Sequence, residues 1–122
     1  VRFERGKYMK LFLGKPRTGK TYQIIKQASE TGAYIVTFNR QEADRIFNES
    51  QNLGFNIRFP ISYDEFMQQK MRSSRVRNII IDNADIFLQQ LASGLDIEAI
   101  TITDGDTEFL KQESKDEQRI KM

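Results

Sequence analysis

Short apolar runs alternate along this chain with stretches whose apolar residues recur at spacings of three and four. Tyr8–Leu13 is an apolar run halted by Gly14 and reads as a buried strand. From Thr18 to Thr31, Tyr22, Ile24, Ile25 and Ala28 share one helical face, and Gly32 supplies a stop. Ala33–Phe38 is a β-branched run and predicts a second strand. Asn39 stands where it can cap a helix from Arg40 to Leu53, with Ala43, Ile46, Phe47 and Leu53 on one face and Gly54 at its end. Phe55–Phe59 alternates with period two, which predicts a third strand before Pro60. Ser62, with Glu65 three residues later, forms a capping box that opens a helix to about Met71. Val76–Asp82 gives the strongest strand signal, Ala84 to about Leu91 a helix broken at Ser93-Gly94, and Glu98–Thr103 a fifth strand. The polar segment from Asp104 predicts a short helix or disorder. Strands alternating with helices imply an α/β fold, a mainly parallel sheet covered on both faces.

Length and composition narrow the chemistry. A chain of 122 residues fits one domain. Its expected organisation is an N-terminal extension over 1–8 with Met9 the natural start, a core over 9–104, and a polar tail over 105–122. There is no cysteine and no histidine, which removes disulfides, thiolate sites, imidazole acid/base catalysis and the common zinc sites. No apolar run approaches the roughly 18 residues of a membrane span, and no secretion signal is present, so a cytoplasmic protein with no membrane partner is expected. The net charge of +2 hides an asymmetry. Residues 1–80 hold 15 Lys/Arg against 7 Asp/Glu, and residues 81–122 hold 4 against 10. Such halves make either two solvated faces or a basic patch for a polyanion.

The first strand runs into Gly14-Lys15-Pro16-Arg17-Thr18-Gly19-Lys20-Thr21, which satisfies G-x-x-x-x-G-K-[ST] at every fixed position. Gly14 lets the chain turn off the strand. Gly19 lets backbone N–H groups approach phosphate oxygens with no Cβ in the way. The helix that follows points free N–H groups and its positive dipole end at an anion. Lys20 reaches the β and γ phosphates as a point charge, and the Thr21 hydroxyl is a ligand for Mg²⁺. Tyr22 completes the residues expected at the nucleotide. A second motif, Ile79–Asp85 ("IIIDNAD"), is an apolar strand ending in a carboxylate. Asp82 would lie at the carboxyl edge of the sheet, where open α/β sheets bind ligands.

Together the two motifs resemble those of the P-loop NTPases, in particular the ASCE division of helicase motors, RecA-like and AAA ATPases. The resemblance covers about Tyr8 to Asp104 and implies a three-layer αβα P-loop NTPase domain with a mainly parallel five-stranded sheet. It implies ATP or another NTP with Mg²⁺, held by the loop, Thr21 and Asp82. Asp82–Asp85 ("DNAD") is similar to the D-E-x-D signature, with Asn83 where the family has Glu. An amide cannot accept the proton of an attacking water, so Asp85 becomes the candidate for orienting it. Thr101-Ile102-Thr103-Asp104 ends a strand where the division carries a polar sensor, with Thr103, Thr101 or Asp104 available for that role. The sensor strand is expected between the phosphate-loop strand and the Asp82 strand. The loop departs from the commonest form at Arg17, where many relatives carry glycine.

The family usually takes an arginine finger from a second domain or subunit, and this chain contains no second motor domain. The resemblance therefore implies hydrolysis that is weak alone, a protein partner or homo-oligomer, and work in DNA transactions such as replication, recombination or packaging. Small stand-alone domains of this type look like those of bacteriophages. A regulatory ATP-binding module and a small-molecule or nucleotide kinase are the alternatives; the second needs an arginine-bearing lid for which the segment after Asp82 is short. Lys70, Arg72, Arg75 and Arg77 form a basic stretch before the Asp82 strand, either a solvated linker or contacts to DNA or RNA phosphates.

Overall fold

The computed structural model describes residues 9–15, 19–69, 75–103 and 106–110. Among the described residues the elements follow in the order β1 (Lys10–Leu13), α1 (Lys20–Thr31), β2 (Tyr34–Thr37), α2 (Arg40–Leu53), β3 (Ile61–Ser62), α3 (Tyr63–Met67), β4 (Ile79–Ile81), α4 (Ala84–Leu91) and β5 (Asp106–Phe109). The chain divides into two compact units, Val1–Lys20 with Ala99–Met122, and Thr21–Glu98.

In the second unit β2 lies between β3 and β4, and both pairings are parallel. Tyr34 pairs with Ile79, Ile35 with Ile80 and Val36 with Ile81. Successive strand residues face opposite sides, and the two apolar clusters follow that rule. Ile35 packs with Ile24, Ile25 and Ala28 of α1, Ile46 of α2 and Ile57, with Ile80 alongside. Val36 packs with Tyr63 of α3 and Phe87 of α4, with Ile79 and Ile81 alongside. Helices therefore cover both faces of the three-stranded sheet, the α/β arrangement that the alternation of elements predicts.

α2 matches its expected bounds because both of its ends carry strong local chemistry. Asn39 is extended, and its Oδ1 accepts from the Glu42 N–H at 2.8 Å. Gly54 takes the left-handed conformation at φ 80°, its N–H donates to Gln51 O, and the Phe55 N–H reaches back to Ser50 O at 2.9 Å. This is the glycine-terminated stop that β-carbon-bearing residues resist. Asn39→Ala is expected to remove about 1 kcal/mol of stability, read as a thermal midpoint lowered by about 4–8 °C. An unchanged midpoint would show that the cap contributes nothing. The capping box at Ser62 has both halves: the Glu65 N–H donates to Ser62 Oγ at 3.1 Å, and the Ser62 N–H donates to Glu65 Oε1 at 3.0 Å.

Two expected strands and one helix of the second unit differ from their expected bounds. Phe55–Phe59 forms no strand; pairing with β2 begins at Ile61, after Pro60, which has no N–H to give a ladder. Its alternation still has a cause, since Ile57 is buried and Phe55 packs against the Ile35 cluster. Period two marks an extended segment with one side on the core, and a segment can do that without ladder bonds. The Val76–Asp82 strand is shorter, Ile79–Ile81, although the Asp82 N–H continues the ladder by donating to Val36 O at 2.8 Å. The α3 helix likewise ends at Met67, before a turn in which Gln69 is left-handed at φ 61°.

In the first unit β1 pairs parallel with β5, from Lys10↔Asp106 to Leu13↔Phe109. The strand expected at Glu98–Thr103 is absent, and the partner of β1 is the segment just after it, inside the stretch expected to be tail. Ile100 and Ile102 instead line a shallow pocket of about 350 Å³ with Leu11, Leu13, Thr107 and Phe109. The fold is thus α/β with parallel pairing throughout, in a two-stranded and a three-stranded sheet rather than one sheet of five. Residues 1–8 and most of the tail lie outside the described residues.

Candidate functional site

The phosphate-loop sequence joins β1 to α1. Gly14 follows the strand, Lys15 is exposed, and Pro16, Arg17 and Thr18 lie outside the described residues. Gly19 is left-handed at φ 84°, and a Cβ built there would meet nothing within 4 Å. The demand for glycine is therefore conformational. α1 starts at Lys20, with Lys20 and Thr21 half-buried and no acidic residue in its first turn, so no carboxylate of that turn opposes the positive end of the helix. Tyr22 is exposed and meets Phe55 edge-on at 5.9 Å.

The Asp82 site belongs to the second unit. Asp82 follows the last residue of β4 and is 6% exposed. Its Oδ2 accepts from the Thr37 hydroxyl at 3.0 Å, and Thr37, the last residue of β2, is fully buried. The single proton of the Tyr63 hydroxyl is shared between two backbone carbonyls, Asp82 O and, at 3.0 Å, Asn83 O. Burial, then the charges of Asp82 and Asp85, hold the Tyr63 phenol well above its ordinary range. It therefore stays a proton donor throughout the physiological range. Its ring is set between Phe87, at 4.9 Å, and Phe38, at 6.2 Å.

Asn83 opens α4 in the left-handed conformation, φ 55° and ψ 62°, with no side-chain cap bond. Asparagine tolerates that region better than most residues. Asp85 is exposed in the first turn of α4, beside Ile86, Gln89 and Gln90 around a shallow pocket of about 420 Å³. Asp82 and Asp85 therefore share a strand-to-helix junction but differ sharply in burial. Thr101 and Thr103 are exposed in an irregular segment, which removes the strand end on which the sensor assignment rested; Asp104 is outside the described residues. Arg75 and Arg77 are exposed before β4, and Lys70 and Arg72 are outside the described residues.

Asp82 offers a carboxylate oxygen and Thr21 a hydroxyl, the oxygen chemistry that hard cations such as Mg²⁺ take. Among the described residues no group of three or more acidic side chains gathers as a self-sufficient metal cage. Nor is any helix among them long and apolar enough to cross a membrane. Nothing in the sequence pattern marks Thr37 or Tyr63 as partners of Asp82. The nearest signal was Thr37's position, a small hydroxyl side chain closing the Tyr34–Thr37 strand after Ile35 and Val36.

No protein-family model matches the chain, and neither the curated proteins nor the solved structures contain a significant match to it.

Proposed function

We propose that the chain binds a nucleoside triphosphate, ATP foremost, together with Mg²⁺, and hydrolyses it weakly unless a partner assists. The observation that carries the reading is the buried carboxylate of Asp82 at the carboxyl end of a parallel sheet, in a chain that also holds a complete phosphate-loop sequence. Burying a carboxylate is costly for folding, and the carboxyl edge of such a sheet is where α/β proteins hold ligands.

In this reading the loop N–H groups and Lys20 bind the phosphates, and Thr21 and Asp82 hold the cation. Such a cation, when bound, would supply positive charge against that of the phosphates. Asp85 orients the attacking water from the first turn of α4. The finer fold that accompanies the reading is a three-layer αβα domain of the P-loop kind. A protein partner or second copy supplies the missing arginine, and the exposed Arg75 and Arg77 face a nucleic-acid backbone in DNA transactions.

The test is titration with ATP and GTP, with and without Mg²⁺, for the wild type and Lys20→Ala. Lys20→Ala is expected to weaken binding at least tenfold, about 1.4 kcal/mol. Unchanged affinity overturns the site.

Asn83 favours a second reading, a regulatory ATP-binding module without turnover, because its amide cannot act as a base and its left-handed backbone already belongs to the α4 junction. Turnover that rises steeply in Asn83→Glu supports the module. Equal rates in wild type and Asn83→Glu, abolished by Asp85→Ala, support the enzyme.

A further inference from the structure

We propose that Thr37 and Tyr63 are positioning residues that fix the Asp82 carboxylate for a divalent cation; the inference rests on the nucleotide-binding reading above. Two separate freedoms have to be removed before a carboxylate can offer an oxygen in one direction: rotation of the side chain and movement of its backbone. Each is removed by a different hydroxyl, and neither hydroxyl comes from the element that carries Asp82.

Thr37 fixes the side chain. A carboxylate turns easily about its last bond, because that torsion has broad wells. The Thr37 hydroxyl donates to Oδ2 at 3.0 Å from a fully buried position. Its β-branched side chain is stiff about χ1, and β2 itself is held on both edges by β3 and β4. Engaging Oδ2 sets the plane of the carboxylate, and with it the direction in which Oδ1 points.

Tyr63 fixes the backbone. Its one hydroxyl proton is shared between the carbonyls of Asp82 and Asn83, the two peptide units across which β4 becomes α4. That junction contains the left-handed Asn83, a conformation that persists when surrounding contacts over-determine it. The tyrosine ring is held by Phe87 and Phe38, so the donor arrives from a packed wall rather than a mobile side chain. Groups that hydrogen-bond a metal ligand commonly change metal affinity 10–100-fold when removed.

The test measures the fold-gain in ATP affinity that Mg²⁺ confers, the ratio of the Kd without the cation to the Kd with it. Wild type, Thr37→Val, Thr37→Ser, Tyr63→Phe and Lys20→Ala are compared, each checked for folding by circular dichroism. Thr37→Val is expected to reduce the gain about tenfold, Thr37→Ser to keep it within about twofold, and Tyr63→Phe to lower it by several-fold. Should Thr37→Val fail to fold, Thr37→Ser and Tyr63→Phe decide the matter. A gain unchanged in every folded hydroxyl-removal variant, or lost in Thr37→Ser as fully as in Tyr63→Phe, overturns the positioning role while Lys20-dependent binding by the wild type leaves the nucleotide site standing. Absence of ATP binding by the wild type overturns both.

Discussion

Ile35→Ala is expected to lower the stability of the chain by about 2–5 kcal/mol. Ile35 is fully buried on β2, the middle strand of its sheet, and packs against α1, α2 and Ile57. Truncation removes the apolar atoms and leaves a hole that strands hydrogen-bonded on both edges cannot close. Such a loss is large beside the roughly 5–15 kcal/mol that holds a typical domain. Urea unfolding should show a lower midpoint with an unchanged slope, since the surface exposed on unfolding hardly alters. A midpoint equal to that of the wild type would mean that Ile35 does not lie at the centre of this cluster.

Phe87→Ala should remove about 3–5 kcal/mol, with a consequence that Ile35→Ala does not share. Phe87 is nearly buried on α4, 4.9 Å from the Tyr63 ring and 6.0 Å from Phe66. Its loss frees one side of the tyrosine whose hydroxyl fixes the Asp82 and Asn83 carbonyls. On the proposed nucleotide-binding reading, Phe87→Ala should therefore weaken the Mg²⁺-dependent part of ATP binding as well as the fold, whereas Ile35→Ala should act on the fold alone. The two residues lie in separate clusters on opposite faces of the sheet. Their effects on stability are expected to add to within about 0.5 kcal/mol. A double variant far from that sum would show that the two faces are coupled through β2.

The sequence made some elements legible and hid others for identifiable reasons. α2 was readable at both ends because Asn39 and Gly54 act through bonds to residues three to five positions away. The Ser62 capping box was readable for the same reason. Strands were harder, since their partners are distant in the chain. The alternation at Phe55–Phe59 shows which side meets the core but says nothing about ladder bonds, and Pro60 delays the pairing to Ile61. Similarly, Ile100 and Ile102 alternate as a strand would, while the partner of β1 is Asp106–Phe109, a polar segment with little strand signal. At the candidate site, Asp82 stood out as a carboxylate ending an apolar run. The hydroxyls that hold it did not, because Thr37 and Tyr63 lie far from it in sequence and meet it only through the fold.

The parallel pair of β1 and β5 joins residues near opposite ends of the chain, Lys10 with Asp106. A contact of that span closes a long loop, so entropy disfavours it until the intervening chain is compact. On the ribosome, all of Thr21–Glu98 is synthesised before residue 106 is added. The nascent chain therefore carries β1 without its mate while the whole of Thr21–Glu98 is made, and the pairing with β5 can form only after the residues of the three-stranded sheet exist.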